Sequence, residues 1–312
     1  MDFVAWNVEC GICRFWCSTN SGAAMKQLLV LPFLFALAGD DPEAAKAQRE
    51  RLYKLHLGDA LEFTIYRDAD RNEPLEFRKQ PIYVWTNPVR AAQQDGVVFL
   101  WTSRGRAEAV GTIFSSTSGP MRGFTHEFHS LSMGTLYVDR RGTHDATWTP
   151  RGPGIELVPI EGAPAPAALA AQRLGQMRAL AREFSATTRD ASDNRYTLRL
   201  LSQPLYRYES TDPEVLDGAL FAFVTSAGTD PEVLLVIEAR KPKGVATPIW
   251  HRALGRFTDL NLSVRYKGNE VFSAPLTGAN ALQMYPRQEY RIYADRLVTD
   301  PAAVAAQQGT KP

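Results

Sequence analysis

Apolar and polar positions along the chain follow two spacings. Two segments have helical spacing. Residues 42–57 begin with Pro42 behind Asp40 and Asp41, which suits a first helical turn. Leu52, Leu55 and either Tyr53 or His56 then share one face. Residues 167–187 carry the stronger pattern, a stripe of Leu174, Met177, Ala181 and Phe184 beside Leu180, with Arg173, Arg178 and Arg182 directed elsewhere as a solvated face. Residues 60–66 fit either a continued helix or a strand. Nearly everything else reads as short strands separated by Gly, Pro, Asn and Asp, among them 75–79, 82–86, 97–103, 107–115, 124–132 and 135–139. Pro81, between the first two, asks for an edge position or a bend. The pattern returns at 196–201, 205–209, 219–226, 233–239, 247–253, 260–266, 270–274 and 290–298.

The second series repeats the first. Gln80-Pro81-Ile82-Tyr83 recurs as Gln203-Pro204-Leu205-Tyr206, Asp95-Gly96 as Asp217-Gly218, Glu108 as Glu232, and Leu136 and Val138 as Leu262 and Val264. The offset drifts from 122 to 126 along the chain, as small loop insertions make it. A period of that size is a domain, against roughly 20–50 residues for a solenoid repeat. The expected fold class is therefore α+β, a tandem duplication of a domain with one helix packed on a twisted, mainly antiparallel sheet. The units are 39–160 and 167–298, joined by the Pro-rich linker 161–166 and followed by a flexible tail, 299–312.

The N-terminus reads as a leader. Met25-Lys26 precedes an apolar run over 28–37, and Ala36-Leu37-Ala38 has the form of a signal-peptidase site. The run is too short for the roughly 20 residues of a membrane-spanning helix. Met25 is the expected start, with cleavage after Ala38 and no membrane span thereafter. Residues 1–38 are thus an N-terminal extension plus signal peptide. Cys10, Cys13 and Cys17 are the chain's three cysteines. A three-thiolate metal or cluster site there lacks a fourth ligand, and the segment reads as untranslated or removed. The expected location is periplasmic or extracellular.

Composition changes little. Apolar residues make up 45% and charged residues 22%, as in globular proteins. A net charge of +1 gives no whole-chain case for nucleic acid. No disulfide can brace the chain beyond Cys17.

Candidate chemistry is sparse. His126-Glu127-Phe128-His129, with His144-Asp145 downstream, is the chain's histidine cluster, and imidazoles with a carboxylate suit zinc or non-haem iron. His126, His129 and His144 are the candidate metal ligands. However, His126 and His129 are three apart on an expected strand, which points them to opposite faces unless a bulge intervenes. The Asp-Gly pairs read as turns, and Glu108 and Glu232 as hairpin residues that could instead meet across a pseudo-dyad. Tyr83, Trp85, Trp101, Tyr206, Tyr208, Phe221 and Phe223 read as core, or, if exposed together, as a stacking face for a glycan or peptide. No nucleophile elbow, phosphate-binding loop or dinucleotide motif occurs.

The segments 173–184, 203–208, 217–223, 228–240 and FTHEFHSLS at 124–132 resemble a family of uncharacterised exported, signal-peptide-bearing bacterial proteins with no assigned function. The resemblance covers most of the mature chain. It implies export and a family-specific domain, and brings no catalytic residue or cofactor. The expected function is a non-enzymatic binding or envelope-associated protein with a protein, peptide or glycan partner and no cofactor. The alternative is a metal-dependent hydrolase or other metalloenzyme using the His cluster.

Overall fold

The computed structural model describes residues 42–87, 94–144, 146–225, 228–241, 244, 247–277 and 288–300. The leader and cysteine readings fall outside the described residues, as does the tail beyond Asp300. Helix α1 (Pro42–Ala60) leads into β1 (Phe63–Tyr66), so the ambiguous stretch 60–66 is helix end and then strand. Four antiparallel neighbours follow: β2 (Glu76–Asn87), β3 (Gln94–Ser103), β4 (Arg106–Ser118) and β5 (Met121–Ser130). The short β6 (Tyr137–Arg140) returns to pair with β1. Pro81 lies inside β2, on the sheet edge, where the register slips between Arg78 and Tyr83. An edge tolerates the missing N–H there.

The second half begins after β7 (Val158–Pro159). It runs through α2 (Ala170–Arg182), β8 (Phe184–Arg189), β9 (Arg195–Leu200), β10 (Tyr206–Tyr208), β11 (Val215–Thr225), β12 (Pro231–Arg240) and β13 (Ile249–Arg256). It ends with β14 (Asn261–Tyr266), β15 (Asn269–Ala274) and β16 (Tyr290–Thr299). Among the described residues no helix is long and apolar enough to cross a membrane.

The expected α+β class is overturned: the fold is β-rich, built from large curled antiparallel sheets. Two helices of 19 and 13 residues stand against sixteen strands among the described residues. Sheet I has the order β16-β5-β4-β3-β2. Sheet II has the order β15-β14-β8-β9-β11-β12-β13-β7, with β10 also on β11. Phe184, expected on a helical stripe, is the first residue of β8. The physical reason lies in the apolar runs 97–101, 219–224 and 233–237. They are continuous rather than alternating because these strands are buried on both faces. Val97, Phe99 and Trp101 enter one core with Phe63, Phe128 and Trp148. Val98 and Leu100 enter another with Leu220, Leu234, Val236 and Ala253 of the second half. Phe221, Phe223, Leu235 and Ile237 face a third core, to which α2 adds Met177, Leu180 and Ala181. The main partner of each sheet is therefore the other sheet, and the helices cover only part of the outer faces.

Pairing in the two halves follows one order. β2-β3-β4-β5 corresponds to β10-β11-β12-β13, and β1 on β6 corresponds to β8 on β14. Leu131 N–H donates to Glu108 C=O at 2.8 Å, and Phe257 N–H to Glu232 C=O at 2.8 Å. The next position in each sheet is filled from the other side of the linker: β7 pairs with β13, and β16 pairs with β5. The linker 161–166 is thus crossed in both directions.

The Asp-Gly pairs are not turns. They lie within β3 and β11, with Gly96 opposite Trp85 and Gly218 opposite Tyr208. A Cβ on Gly96 would sit 2.1 Å from the Trp85 ring, and one on Gly218 would sit 2.5 Å from the Tyr208 ring. Each glycine makes room for an aromatic side chain crossing from the neighbouring strand. Gly218→Ala should therefore lower stability by about 1–3 kcal/mol in urea unfolding. Gly175→Ala is the control: nothing lies within 4 Å of an added Cβ in α2, and alanine there should leave stability unchanged or raise it by up to about 1 kcal/mol. Equal effects at the two sites would refute the close-approach reading.

Candidate functional site

His126 is the centre of a buried polar cluster. It lies in β5 opposite Tyr293 of β16, and its ring packs edge-on against Phe63 and Phe128. Its Nε2 is 3.1 Å from Asp59 Oδ2, at the end of α1, and 3.8 Å from Asp295 Oδ2. Its Nδ1 is 3.2 Å from the Tyr293 hydroxyl. These partners assign the proton to Nε2, which donates to Asp59, while the Tyr293 O–H donates to Nδ1. A register slip between Ala294 and Arg296 breaks the β16 ladder at Asp295. The bulge brings two consecutive side chains, Asp295 and Arg296, into the same cluster.

One imidazole nitrogen and two carboxylates, with ligand atoms within 4.8 Å of one another, form a metal-like donor set. The positive charge is already supplied. Arg296 Nη1 is 2.6 Å from Asp59 Oδ2 and 3.0 Å from Asp295 Oδ2, and Arg140 Nη1 is 2.6 Å from Asp295 Oδ1. A divalent ion would have to displace Arg296 and sit beside Arg140. Burial alone would raise the pKa of Asp59, but hydrogen bonds from His126 and Arg296 outweigh it and hold the carboxyl below its usual range. At Asp295 burial is likewise outweighed, by hydrogen bonds from Arg140 and Arg296. Burial pushes the Tyr293 phenol well up. The cluster thus holds protons and charges in place. His126 itself is 0% exposed, while Tyr293, Asp295, Arg140 and Arg296 are part-exposed around it.

The other two candidate ligands lie elsewhere. His129 points to the opposite face of β5, toward sheet II, where a Cβ on Gly255 would lie 3.0 Å from its Cε1. Its Nδ1–H donates to Ser130 C=O at 2.7 Å. His144 is exposed at the surface, with its Nδ1 2.7 Å from Asp139, which Arg71 also binds at 2.8 Å. His126, His129 and His144 therefore have separate partners, and the strand argument against a His126–His129 pair agrees with this geometry.

Between the sheets lies a second cluster. Arg106 Nε is 2.7 Å from Glu238 Oε1, and Arg106 Nη1 reaches Glu108 at 3.1 Å and donates to Leu131 C=O at 3.0 Å. Tyr208 O–H donates to Glu238, and Arg240 binds its other oxygen at 2.9 Å. Burial pushes the Glu238 pKa up, but Arg106, Tyr208 and Arg240 outweigh it and keep the carboxyl ionised below its usual range. Of the three helix arginines, Arg182 is exposed and Arg178 part-exposed as expected, and Arg173 departs from expectation. Arg173 is buried and, with Arg207, pairs with the fully buried Asp217 at 2.8 and 2.7 Å. The aromatic row is core: Trp85, Trp101, Tyr208, Phe221 and Phe223 are buried, and Tyr83 and Tyr206 are half-buried.

The chain was compared with family models, with curated proteins and with solved structures, and it matches none of them. Site chemistry therefore rests on geometry alone. Sequence reasoning found His126 but missed Asp59, Tyr293, Asp295 and Arg296. Asp59 and Arg296 are 237 residues apart, and no local spacing marks them.

Three buried histidines, His56, His129 and His251, have pKa values lowered by burial, and the two large shifts dominate the acid response. Burial lowers the pKa of His129 to about 4, against the opposing hydrogen bond to Ser130. Burial also lowers that of His56 to about 4, against the opposing charge of Asp59. Both folded-state values lie below the unfolded value, so the unfolded chain binds more protons between them. Stability should be full above about pH 6.5 and fall as the pH drops toward about 4, by roughly 3 kcal/mol per histidine at most. Urea midpoints measured across this range should show the slope, and His129→Gln should flatten it. A flat wild-type profile would contradict the assignment.

Proposed function

We propose that this is an exported, non-enzymatic binding or envelope-associated protein, related to the signal-peptide-bearing bacterial family it resembles and built by duplication of one β-rich unit. One observation carries the binding reading: the three histidines that could do catalysis are each taken up by protein partners, and two of them are buried. His126 and His129 are 0% and 2% exposed, and the carboxylates around His126 are already matched by Arg140 and Arg296. The exposed His144 stands on an Asp139–Arg71 pair. In contrast, the outer face of sheet II is open and concave, lined by polar side chains without a catalytic pair. The common pairing order of the two halves, together with the repeated Gln-Pro, Asp-Gly and Glu positions, supports the duplication.

The second reading is a metal-dependent hydrolase centred on His126, favoured by the donor set Asp59, His126 and Asp295. It requires Arg296 to leave the cluster. The test is the mature protein isolated from the envelope or medium of an expressing bacterial cell. The binding reading expects a chain starting at Gly39 with no stoichiometric zinc or iron by elemental analysis. Bound metal that is lost in His126→Ala would establish the hydrolase reading instead, and retention of the chain in the cytoplasm would refute export.

A further inference from the structure

Four strands of sheet II, in the order β15-β14-β8-β9, have one face in the core and the other in solvent. Ala186, Leu198, Leu262 and Val264 point inward. The alternate side chains point out, as the two-residue period of a strand requires. Register arranges them in rows. Ser263 lies opposite both Ser273 and Thr187, and Thr187 lies opposite Thr197. Neighbouring strands are about 4.8 Å apart, so four hydroxyls stand at near-equal steps across the sheet. The rows on either side carry cations. Arg265 lies between Ser185 and Glu270 in one, and Asn261, Arg189 and Arg195 form the other.

The face is hollow rather than flat. Ser185, Thr187, Arg189, Arg195, Ser263 and Arg265 line a trough of about 580 Å³. That volume is within the range of ligand sites, about 300–1,000 Å³. Its charge is unbalanced. Glu270, the carboxylate in the lining, accepts a hydrogen bond from Ser263 at 2.6 Å. Arg189 meets Asp193 at 3.0 Å in an exposed pair of little strength. Arg265 has Glu270 as its cross-strand neighbour on β15, and Arg195 has Arg189 on β8.

We propose that this trough binds an acidic polysaccharide laid across the strands. Successive sugars would rest on the Ser273–Ser263–Thr187–Thr197 row, with carboxylate or sulfate groups on Arg195 and Arg265. The step between hydroxyls is close to the length of one pyranose residue along a glycan chain. A guanidinium meets a carboxylate or sulfate with two parallel hydrogen bonds. A nucleic acid fits less well, because the lining has no aromatic side chain on which a base could stack. A membrane surface fits less well, because the outward rows offer no apolar side chain to insert.

The inference rests on the binding-protein reading above. Its test is titration calorimetry of the mature protein with polygalacturonate and chondroitin sulfate, with dextran as the neutral polymer and single-stranded DNA as the competitor. Binding to an acidic polymer and not to dextran is expected, weakened by salt. The double variant Arg195→Gln/Arg265→Gln should bind about tenfold more weakly or worse, at an unchanged melting temperature. Thr187→Val/Ser263→Val should also weaken binding. Absence of binding to both acidic polymers, or tighter binding to DNA, overturns the inference. Equal binding by wild type and double variant moves the site elsewhere and overturns it too, while leaving the binding-protein reading standing. Hydrolysis of the polymer overturns that reading itself.

Discussion

Arg106 of the first half and Glu238 of the second meet at 2.7 Å between the two sheets, both almost wholly buried. Neither charge is tolerable there alone, because an unpaired buried ion carries a desolvation cost of several kcal/mol. Tyr208, Arg240 and Glu108 complete the set of partners. Around this cluster lie Val98, Leu100, Val110, Leu220, Leu234 and Val236, an apolar layer drawn from both halves. Separating the halves would expose that layer and strand the charges, so the two sheets form one structural unit.

The strand exchange follows the same logic. β16 comes last in the described chain yet belongs to sheet I, and β7 precedes the linker yet belongs to sheet II. The His126 cluster then acts as a staple for β16. Tyr293, Asp295 and Arg296 of that strand are tied to His126 of β5, Asp59 of α1 and Arg140 of β6. The donor set Asp59, His126 and Asp295 is also tied by matched charges to a strand that has travelled across the molecule.

Much of the strand pattern was legible in the sequence. The apolar runs and their Gly, Pro and Asn-Asp boundaries lie close to β9 through β16, and Pro81 marked an edge strand. The fold class was misread because a continuous run such as 233–237 does not say what covers its second face, and here that is another sheet. The Asp-Gly pairs misled for a related reason: a glycine beneath an aromatic side chain and a glycine in a turn look alike until the neighbouring strand is known. For the site, the opposed directions of His126 and His129 followed from strand parity. Asp59, Asp295 and Arg296 could not be found, because their meeting depends on the path of β16 and on a bulge. The outward hydroxyl row was likewise hidden, since it exists only in the register of four strands.

The two halves stand or fall together through the layer between the sheets. Native-state hydrogen exchange in β4 and β12, measured against urea, tests this most directly. The slowest amides of both strands should open with the same free energy and the same urea dependence, as parts of one global unfolding. Exchange of β11 and β12 through a smaller opening of their own, with β3 to β5 still protected, would show two independent units and contradict the account.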